Sequence, residues 1–408
     1  MYEINKFPAT TVADAADLAA TTSVMNPIQE FLASHYEFRR NVLNGKCEYR
    51  TRENNNVQPF KPLTPEDLNS VILAAEAALP DEKRLRERVR TIIESRETPD
   101  YDPVNSRLDH LPQWDGLNYV DKFLDRIPGL TAFHRYIAHI WLRGFIAQCR
   151  HLSWLHGNEL VLTLIGDQGC GKSTFCRLLV PEALREYFLD HVNLANKFDK
   201  EMALTNNILV NIDELEQVKR SQQAELKHLI TKSRVNGRPI YHRTQQDRLR
   251  YASFTATTNN RHPLHDPTGS RRFLCLEIPS GAIIDNDAPI DYDQLYAQIQ
   301  AELDSGERYW LTEDEIAALE RANAPYQSTL DLERIVADCL RKPEPDEPCQ
   351  PLGMSVLVDI IRRSYPFIQP TQTTKSQLGR ALLGLGFESR RESYGTLYLA
   401  VPREAMKV

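Results

Sequence analysis

Long apolar runs and paired cysteines are both missing from this sequence of 408 residues. No segment approaches the ~20 apolar residues that a transmembrane helix needs. The N-terminal residues have neither the basic region nor the apolar core of a signal peptide. The 7 cysteines form no CxxC pair, and no histidine cluster lies near them at zinc-ligand spacing. We therefore expect a cytoplasmic protein with free thiols and no membrane partner.

An excess of positive charge is also missing. The chain has 49 Lys and Arg against 56 Asp and Glu, which gives a net charge of -7. This balance excludes a generally basic nucleic-acid coat protein. It does not exclude DNA binding, because affinity for phosphate depends on local basic patches more than on the total charge. With 41% hydrophobic and 26% charged residues, the composition is that of a folded globular protein.

The chain divides into five predicted regions. Residues 1–25, rich in Ala and Thr, are expected to form a flexible tail. Residues 26–115 are predicted to be a mainly helical N-terminal α+β domain, and 116–330 an α/β core with a helical lead-in. The segment 331–353, dense in Pro and acidic residues, is typical of a linker. Residues 354–408 are expected to form a small separate domain.

Local signals define the N-terminal domain further. Asn44-Gly45 lies between two alternating runs and favours a type I′ turn, which predicts a β-hairpin. A charged helical stretch follows over residues 83–94, and Ile92 is predicted to belong to its buried stripe.

A glycine-rich loop follows the first predicted core strand, residues 159–165. Residues 166–173 read GDQGCGKS, which fits GxxxxGK[ST] in the strand–loop–helix context that this motif needs. Such glycines let the backbone curl so that several N–H groups face one phosphate chain. Lys172 is expected to neutralise the β- and γ-phosphates of ATP, and the Ser173 hydroxyl to ligate Mg²⁺. The predicted nucleotide-binding residues are Gly166, Gly169, Gly171, Lys172, Ser173 and Thr174.

Two acidic residues end the second predicted strand, residues 208–212. Asp213 is expected to hold Mg²⁺ through its waters, and Glu214 to polarise the attacking water. The alternative is a surface strand end with two solvated carboxylates. The phosphate loop earlier in the chain favours the catalytic interpretation.

Polar and basic residues follow the third predicted strand, residues 252–258. Asn259 is predicted to lie beside the γ-phosphate and orient the water, although it also suits a plain turn. Arg271 and Arg272 come after a further turn, and in a ring of subunits one of them could reach the neighbour's nucleotide. Such an arginine contributes on the order of 10³–10⁵ in rate. The alternative is a pair of surface arginines or a salt bridge.

The most basic part of the chain lies between the second and third core strands. Nine cations between Lys219 and Arg250 face only two acids there, and Asn236-Gly237 predicts the turn of a hairpin. A basic hairpin in the channel of a ring would follow DNA phosphates without reading sequence. The alternative is an ordinary solvated face. The predicted DNA contacts in this segment are Lys232, Arg234, Arg238, His242 and Arg243.

The last region is predicted to be a winged-helix-like domain, because two helices are followed by a hairpin. Lys375 and Arg380 would then face the DNA major groove, with Arg390 and Arg391 on the wing. Many winged helices bind protein instead, and that alternative stays open.

Taken in order, these motifs resemble the virulence-associated protein E family of ATPases from phages and mobile elements, which is similar to the superfamily 3 helicases. The resemblance covers residues 100–330 and includes LDHLPQWDG, the phosphate loop, Asp213-Glu214, RPIYHR and DPTGSRRF. It implies an AAA+-like P-loop core, ATP hydrolysis with Mg²⁺, ring oligomers and a role in DNA replication. Since no primase region is recognisable, priming is expected to come from a separate protein.

The sequence therefore predicts an ATP-driven DNA helicase or translocase of a mobile element or phage. We expect it to be a hexamer that acts on single-stranded or forked DNA. One alternative is an ATP-switched DNA-binding initiator or regulator that does not unwind. A second alternative, a small-molecule phosphotransferase, is disfavoured by Glu214, Asn259 and the two arginines, which suit water activation and sensing by a neighbour.

Overall fold

The computed structural model contains two compact units, Met1–Arg261 with Thr268–Pro325, and His262–Pro267 with Tyr326–Val408. No helix among the described residues has the length and apolarity needed to span a bilayer. The structure describes residues 26–53, 56–152, 157–192, 196–218, 220–237, 246–264, 267–327, 332–344, 347–366, 368–393 and 395–403. The predicted tail, residues 1–25, lies outside these ranges.

The N-terminal part of the first unit combines helices with a small sheet of strand order β3-β2-β1-β5, in which β4 also pairs with β2. Its own small core is formed by buried residues of the helices, among them Ile28, Ile72 and Val89. The elements are α1 (Pro27–His35), β1 (Tyr36–Asn41), β2 (Cys47–Glu53), β3 (Asn56–Val57), β4 (Lys61–Pro62), α2 (Pro65–Ala78), α3 (Leu85–Glu94) and β5 (Asp100–Tyr101).

The predicted hairpin is confirmed as β1 and β2, which pair antiparallel. Its predicted turn type is wrong. Residues 42–46 connect the strands, and Gly45 has a φ of +70° whereas Asn44 has no positive φ, so a type I′ turn is excluded. The backbone is instead held by Asn41, whose side-chain oxygen accepts from the Leu43 N–H at 3.1 Å.

The helix α3 begins two residues later than predicted, and its buried stripe differs at one position. Leu85, Val89 and Ile93 are buried, whereas Ile92 is only partly buried. Ile93 is four residues from Val89, which keeps it on the face of the helix that packs against α1 and α2.

The core of the first unit is a five-stranded parallel sheet with strand order β12-β6-β11-β8-β7. The strands β6, β8 and β11 are buried along their whole length, as expected when helices cover a parallel sheet; β6 and β8 are mostly apolar, whereas β11 contains four buried hydroxyl residues. The apolar helix α6 carries Trp141, whose indole N–H donates to the Leu160 carbonyl at 3.1 Å just before β6.

The elements of this part are α4 (Pro103–Asp109), α5 (Tyr119–Leu124), α6 (Ala132–Cys149), β6 (Val161–Ile165), α7 (Lys172–Leu178), β7 (Phe188–Leu189), α8 (Lys197–Asn206), β8 (Leu209–Ile212), α9 (Arg220–Thr231), β9 (Arg234–Gly237), β10 (Gln246–Leu249), β11 (Ser253–Thr258), β12 (Phe273–Glu277), α10 (Tyr292–Asp304) and α11 (Glu313–Asn323).

The basic hairpin exists, but its turn is not where the sequence predicts it. Asn236 and Gly237 are strand residues of β9, paired with Asp247 and Gln246 of β10. The connection therefore falls within 238–245, outside the described residues. Asn-Gly commonly marks a turn, but here the antiparallel pairing of β9 with β10 includes both residues.

Arg250, one of the cations in the predicted basic excess, is a core residue with 1% exposure. Its guanidinium donates to the carbonyls of Asn158 at 3.0 Å, Ala252 at 2.6 Å and Lys232 at 3.1 Å, and also to that of Ile230. Burial lowers the pKa of Arg250 to about 10. The Arg250 guanidinium therefore stabilises the fold and is not available to a ligand.

The second unit has a helix, two short strands, two helices, a hairpin and a last short strand in chain order. Its strands form a three-stranded antiparallel sheet β14-β16-β15 and a separate pair β13-β17. Gly379 of α14 lies against Tyr398 of β16 so closely that a Cβ there would be 2.8 Å from the hydroxyl. The elements are α12 (Leu332–Cys339), β13 (Leu340–Arg341), β14 (Leu352–Gly353), α13 (Met354–Ser364), α14 (Gln372–Gly384), β15 (Ser389–Glu392), β16 (Gly395–Tyr398) and β17 (Val401–Pro402).

Part of the segment predicted as a linker belongs to this unit. Residues 331–353 include α12, whose Ile335 and Val336 are buried in the same core as Leu357 and Leu382. The helix was hidden in the sequence because the prolines and acids that follow it dominate the local composition.

Candidate active site

The candidate site lies where three neighbouring parallel strands end. In the sheet β11 is the middle strand, with β6 on one side and β8 on the other. The segments after the three strands therefore meet at one edge and form an open cleft of about 340 Å³. The cleft is lined by Gln168, Gly169, Gly171, Lys172, Ser173, Thr174, Asp213, Glu214, Thr257, Thr258 and Asn259.

The loop after β6 has the backbone conformation that its glycines allow. Gly169 and Gly171 have φ values of +83° and +92°, a region that side-chain-bearing residues rarely adopt. No heavy atom lies within 4 Å of a Cβ placed on Gly169, so the open space there faces solvent. Positive φ values at these two glycines permit the curled backbone that the phosphate-loop prediction requires.

Lys172 is buried, with 7% exposure, and its ammonium group is held at the base of the loop. Its Nζ donates to the carbonyls of Gly166 and Asp167, both at 2.8 Å, and to Asn259 Oδ1 at 2.9 Å. It also contacts Cys170 Sγ at 3.7 Å. Among the described residues, none of its hydrogen-bond partners is a carboxylate, so dipoles surround the positive charge, which the Asp167 carboxyl meets only at longer range.

Asp213 accepts hydrogen bonds from two hydroxyl groups. Ser173 Oγ donates to its Oδ1 at 3.2 Å, and Thr257 Oγ1 donates to the same oxygen. The predicted metal ligands Ser173 and Asp213 are therefore in direct contact. Thr257 was not predicted to be a site residue, although its position next to the end of β11 and beside β8 was a usable signal.

Glu214 is exposed and adopts the left-handed conformation, with φ +53° and ψ +58°. Few non-glycine residues do so, and such strain is concentrated at functional sites. The conformation turns the chain sharply after Asp213, so that both neighbouring carboxylates line the same cleft.

Glu216 is a further acidic residue that the sequence analysis missed. Its Oε1 accepts from the Asn259 N–H at 3.4 Å, and its Oε2 is buried and receives no hydrogen bond from a described residue. Glu216 thus supports the backbone of Asn259, whose side chain holds Lys172. In Asp213-Glu214-Leu215-Glu216 the sequence did not distinguish Glu216 as a site residue, because carboxylates are common after a strand.

Arg271 and Arg272 are not among the described residues that line the cleft. Arg271 is exposed and Arg272 half-buried. Burial and the adjacent Arg271 charge lower the pKa of Arg272, whose buried Nε has no acceptor among the described residues. Within this chain the two arginines do not complete the site.

The predicted DNA-contact residues differ in their surroundings. Arg238, His242 and Arg243 lie outside the described residues. The ammonium group of Lys232 is 3.5 Å from the Glu201 carboxylate, and Arg390 lies 2.9 Å from Glu392. The others are Arg234, Arg380 and Arg391, which are exposed, and Lys375, which is half-buried with its Nζ 3.4 Å from Ser355 Oγ.

The residues present fit a nucleoside triphosphate with Mg²⁺. A buried ammonium without a carboxylate partner suits an anion, and the loop backbone offers N–H donors beside it. Among the described residues no group of three or more His, Cys, Asp or Glu could hold a metal. Mg²⁺ is commonly bound by one or two carboxylates together with substrate phosphates, and Asp213 beside the Ser173 hydroxyl offers one such carboxylate in the cleft. Ser173 and Asp213 would hold Mg²⁺, and it would supply charge neutralisation at the phosphates.

The parallel sheet and the curled glycine loop define an α/β protein of the phosphate-loop class. The chain matches the virulence-associated protein E-like domain over residues 108–328, more than half of its length, and it belongs to this family. No curated protein sequence matches the chain significantly.

Three solved structures align with most of the chain at low identity. The apo NrS-1 C-terminal region has 13% identity and a TM-score of 0.42, with 92% of this chain and 98% of that one covered. SCCmec type IV Cch, described as an active helicase, has 12% identity, a TM-score of 0.36 and coverages of 90% and 92%. A RuvB mutant from Thermotoga maritima has 14% identity, a TM-score of 0.25 and coverages of 71% and 95%. Overlaps this loose carry no argument about function.

Proposed function

We propose that the protein is an ATP-hydrolysing DNA helicase or translocase of a mobile genetic element or phage. The observation that carries the proposal is the meeting of Lys172, Asp213 and Asn259 at the ends of three adjacent parallel strands. A phosphate-binding cation, a metal-binding carboxylate and a water-orienting amide in one cleft are the parts that hydrolysis of the β–γ phosphoanhydride bond of ATP needs. Family membership supports a role in DNA replication.

Each side chain has a role in the proposed reaction. The loop N–H groups and Lys172 hold the phosphates, and Ser173 and Asp213 hold Mg²⁺. Glu214 is exposed in the cleft, where its carboxylate can accept a proton from the attacking water. Asn259, whose Oδ1 accepts a hydrogen bond from Lys172 Nζ, positions that water. Hydrolysis then depends on the geometry of the strand ends and not on a covalent intermediate.

A ring of subunits, as in superfamily 3 helicases, would complete this site. An arginine that acts across a subunit interface should be accessible and should lack a partner in its own chain. Arg271 is exposed, and the buried Nε of Arg272 has no acceptor among the described residues. Both facts support a role for these arginines toward an anion on a neighbouring subunit, most simply in a hexamer.

Two elements are proposed to contact DNA. One is the hairpin β9–β10, whose first strand carries the exposed Arg234. Apart from the short paired strands β13 and β17, the second unit has the helix, strand, helix, helix and hairpin order of a winged helix, which supports assigning that fold to it. Arg380 on its last helix and Arg391 on its hairpin are exposed and suited to phosphate contact. A separate primase would act alongside this chain.

The test is the ATPase rate with and without single-stranded DNA, across protein concentration and salt, with Lys172→Ala as the blank. We expect stimulation by DNA that rises with protein concentration and fades with salt, because ring assembly and phosphate contacts are both required. Forked-DNA unwinding and the mass of the assembled particle complete the assay. A rate indifferent to DNA and to concentration would overturn the motor proposal.

A Glu214→Gln variant separates the motor from an ATP-switched initiator or regulator. The amide keeps the size of the side chain and cannot accept a proton, so the variant should bind ATP and stall. A motor then loses unwinding, whereas a switch that needs only bound ATP keeps its DNA-binding response.

A further inference from the structure

The segment after β12 runs along the phosphate loop and contacts it at several points. We call residues 278–286 the strap. The Ile284 N–H donates to the Cys170 carbonyl at 3.0 Å, and Ser280 Oγ donates to Asp167 Oδ2 at 2.7 Å. The Ser280 hydroxyl in particular lowers the pKa of the Asp167 carboxyl. The strap is thus hydrogen-bonded to both the start and the end of the loop.

Asn286 makes the contact closest to the catalytic lysine. Its Nδ2 donates to the Gly171 carbonyl at 2.9 Å. A Cβ placed on Gly171 would lie 2.4 Å from this nitrogen, so the close approach requires glycine. The Asn286 Oδ1 is buried and receives no hydrogen bond from a described residue. The Gly171 carbonyl is therefore the contact that fixes the orientation of the side chain.

The Gly171 carbonyl is held from two directions. It also accepts the Phe175 N–H at 3.0 Å, the first bond of α7. The peptide between Gly171 and Lys172 is planar and trans, so the Lys172 N–H points opposite to that carbonyl. Fixing the carbonyl against the strap and the helix consequently turns the Lys172 N–H toward the inside of the loop.

The strap itself is anchored beyond Asn286. Arg126 has 6% exposure, and its Nη1 donates to the Asp285 carbonyl at 2.9 Å while its Nη2 donates to that of Ala288. The Asp285 N–H returns a bond to the Arg126 carbonyl at 3.1 Å. Asn286 therefore lies between Asp285 and Ala288, whose carbonyls are hydrogen-bonded to Arg126 just after α5. These bonds restrain Asn286, so it cannot easily move with the loop.

We infer that Asn286 is a positioning residue for the phosphate loop, which holds the Lys172 N–H in the direction that a nucleoside triphosphate needs. This inference rests on the proposed nucleotide-binding function. The loop is then preformed before the ligand arrives, and binding does not have to order it. Without the Asn286 donor, the Phe175 N–H alone holds the Gly171 carbonyl, so the Gly171–Lys172 peptide is less firmly oriented and phosphate binding is weaker.

The test is calorimetric titration of the full chain with ATP, comparing Asn286→Leu with the wild type. Leucine matches asparagine in size and donates no hydrogen bond. In the variant the Lys172 N–H is no longer held toward the phosphate. Loss of one such hydrogen bond to a charged group predicts roughly 10-fold weaker ATP binding. The loss should be the same with Mg²⁺ and with a chelator, because the affected N–H contacts phosphate and not the metal. Asp287→Ala, the exposed neighbour on the chain, is the matched control and should bind normally.

Kinetics supply a readout that a merely structural role would not give. The N–H contact is made in both ground and transition states, so KM should rise roughly 10-fold with kcat within about twofold. Asn286→Ser, which can still donate, should recover part of the affinity and also serves if the leucine variant does not fold. Equal ATP affinity of Asn286→Leu and wild type would overturn the inference. A wild-type chain that binds no ATP would instead overturn the proposed function.

Discussion

Arg250 gives the sharpest test of how the hairpin β9–β10 is attached to the catalytic sheet. The residue lies between β10 and β11 and donates to carbonyls of α9, of the segment after α9, of the segment before β6 and of its own strand connection. We consider Arg250→Met, which keeps an unbranched apolar stem, is shorter than arginine by the guanidinium end, and removes every donor.

The expected cost follows from these contacts. Four carbonyl groups lose a charge-assisted donor in a site that water does not reach, at about 1 kcal/mol or more each. Part of this cost is offset because methionine needs no desolvation, whereas burial of the guanidinium is unfavourable, as its lowered pKa indicates. The net destabilisation should be roughly 3 kcal/mol, near the lower end for breaking a buried charged network.

Hydrogen exchange followed by mass spectrometry measures this locally. Peptides from β11 and the end of α9 should exchange about 100-fold faster in Arg250→Met, because 1.4 kcal/mol corresponds to a factor of ten. Peptides from α13 and α14 should be unchanged and act as an internal reference. The matched control is Arg90→Met, an exposed arginine of α3, which should change the free energy of exchange by less than about 0.5 kcal/mol. Equal effects of the two variants would refute the reasoning.

Two further predictions concern Asn259 and Glu315. Asn259→Asp should weaken ATP binding far more than Asn259→Ala, because a carboxylate 2.9 Å from Lys172 Nζ would neutralise the lysine and repel phosphate. Titration with ATP measures the affinity of both variants. Similar affinities would contradict the assigned contact. Hydrogen bonds from Arg308 hold the pKa of Glu315 down at about 2, so the stability from this pair is present above about pH 4.5 and lost as pH falls toward 2. Glu315→Gln should therefore flatten the acid side of the thermal-stability profile, and an unchanged slope would exclude the pair as its source.

Several parts of the fold and site were predictable because their signals are local. The loop glycines, Lys172 and Ser173 lie within eight consecutive residues, and their backbone requirements are written in residue type. Asp213 and Asn259 follow apolar strands, and the rule that parallel strands end at one edge brings them together.

The errors share another physical cause, which is that residue type does not reveal register or burial. Asn236-Gly237 is a good turn signal, yet the strand pairing continues through it. Arg250 counted as surface charge, yet four backbone carbonyls make its burial possible. In each case interactions with distant residues outweighed the local preference.

By itself, the sequence determined that this protein has a phosphate loop, an acidic strand end and the ordered motifs of its family, since these depend on neighbouring residues and on strand alternation. Only the tertiary structure decided which groups support them. Asn286 lies 115 residues from Gly171 along the chain, and Glu216 lies 43 residues from Asn259. Contacts of this kind arise from the crossing of loops above the sheet, which no local pattern encodes, and they fix the direction in which each catalytic group points.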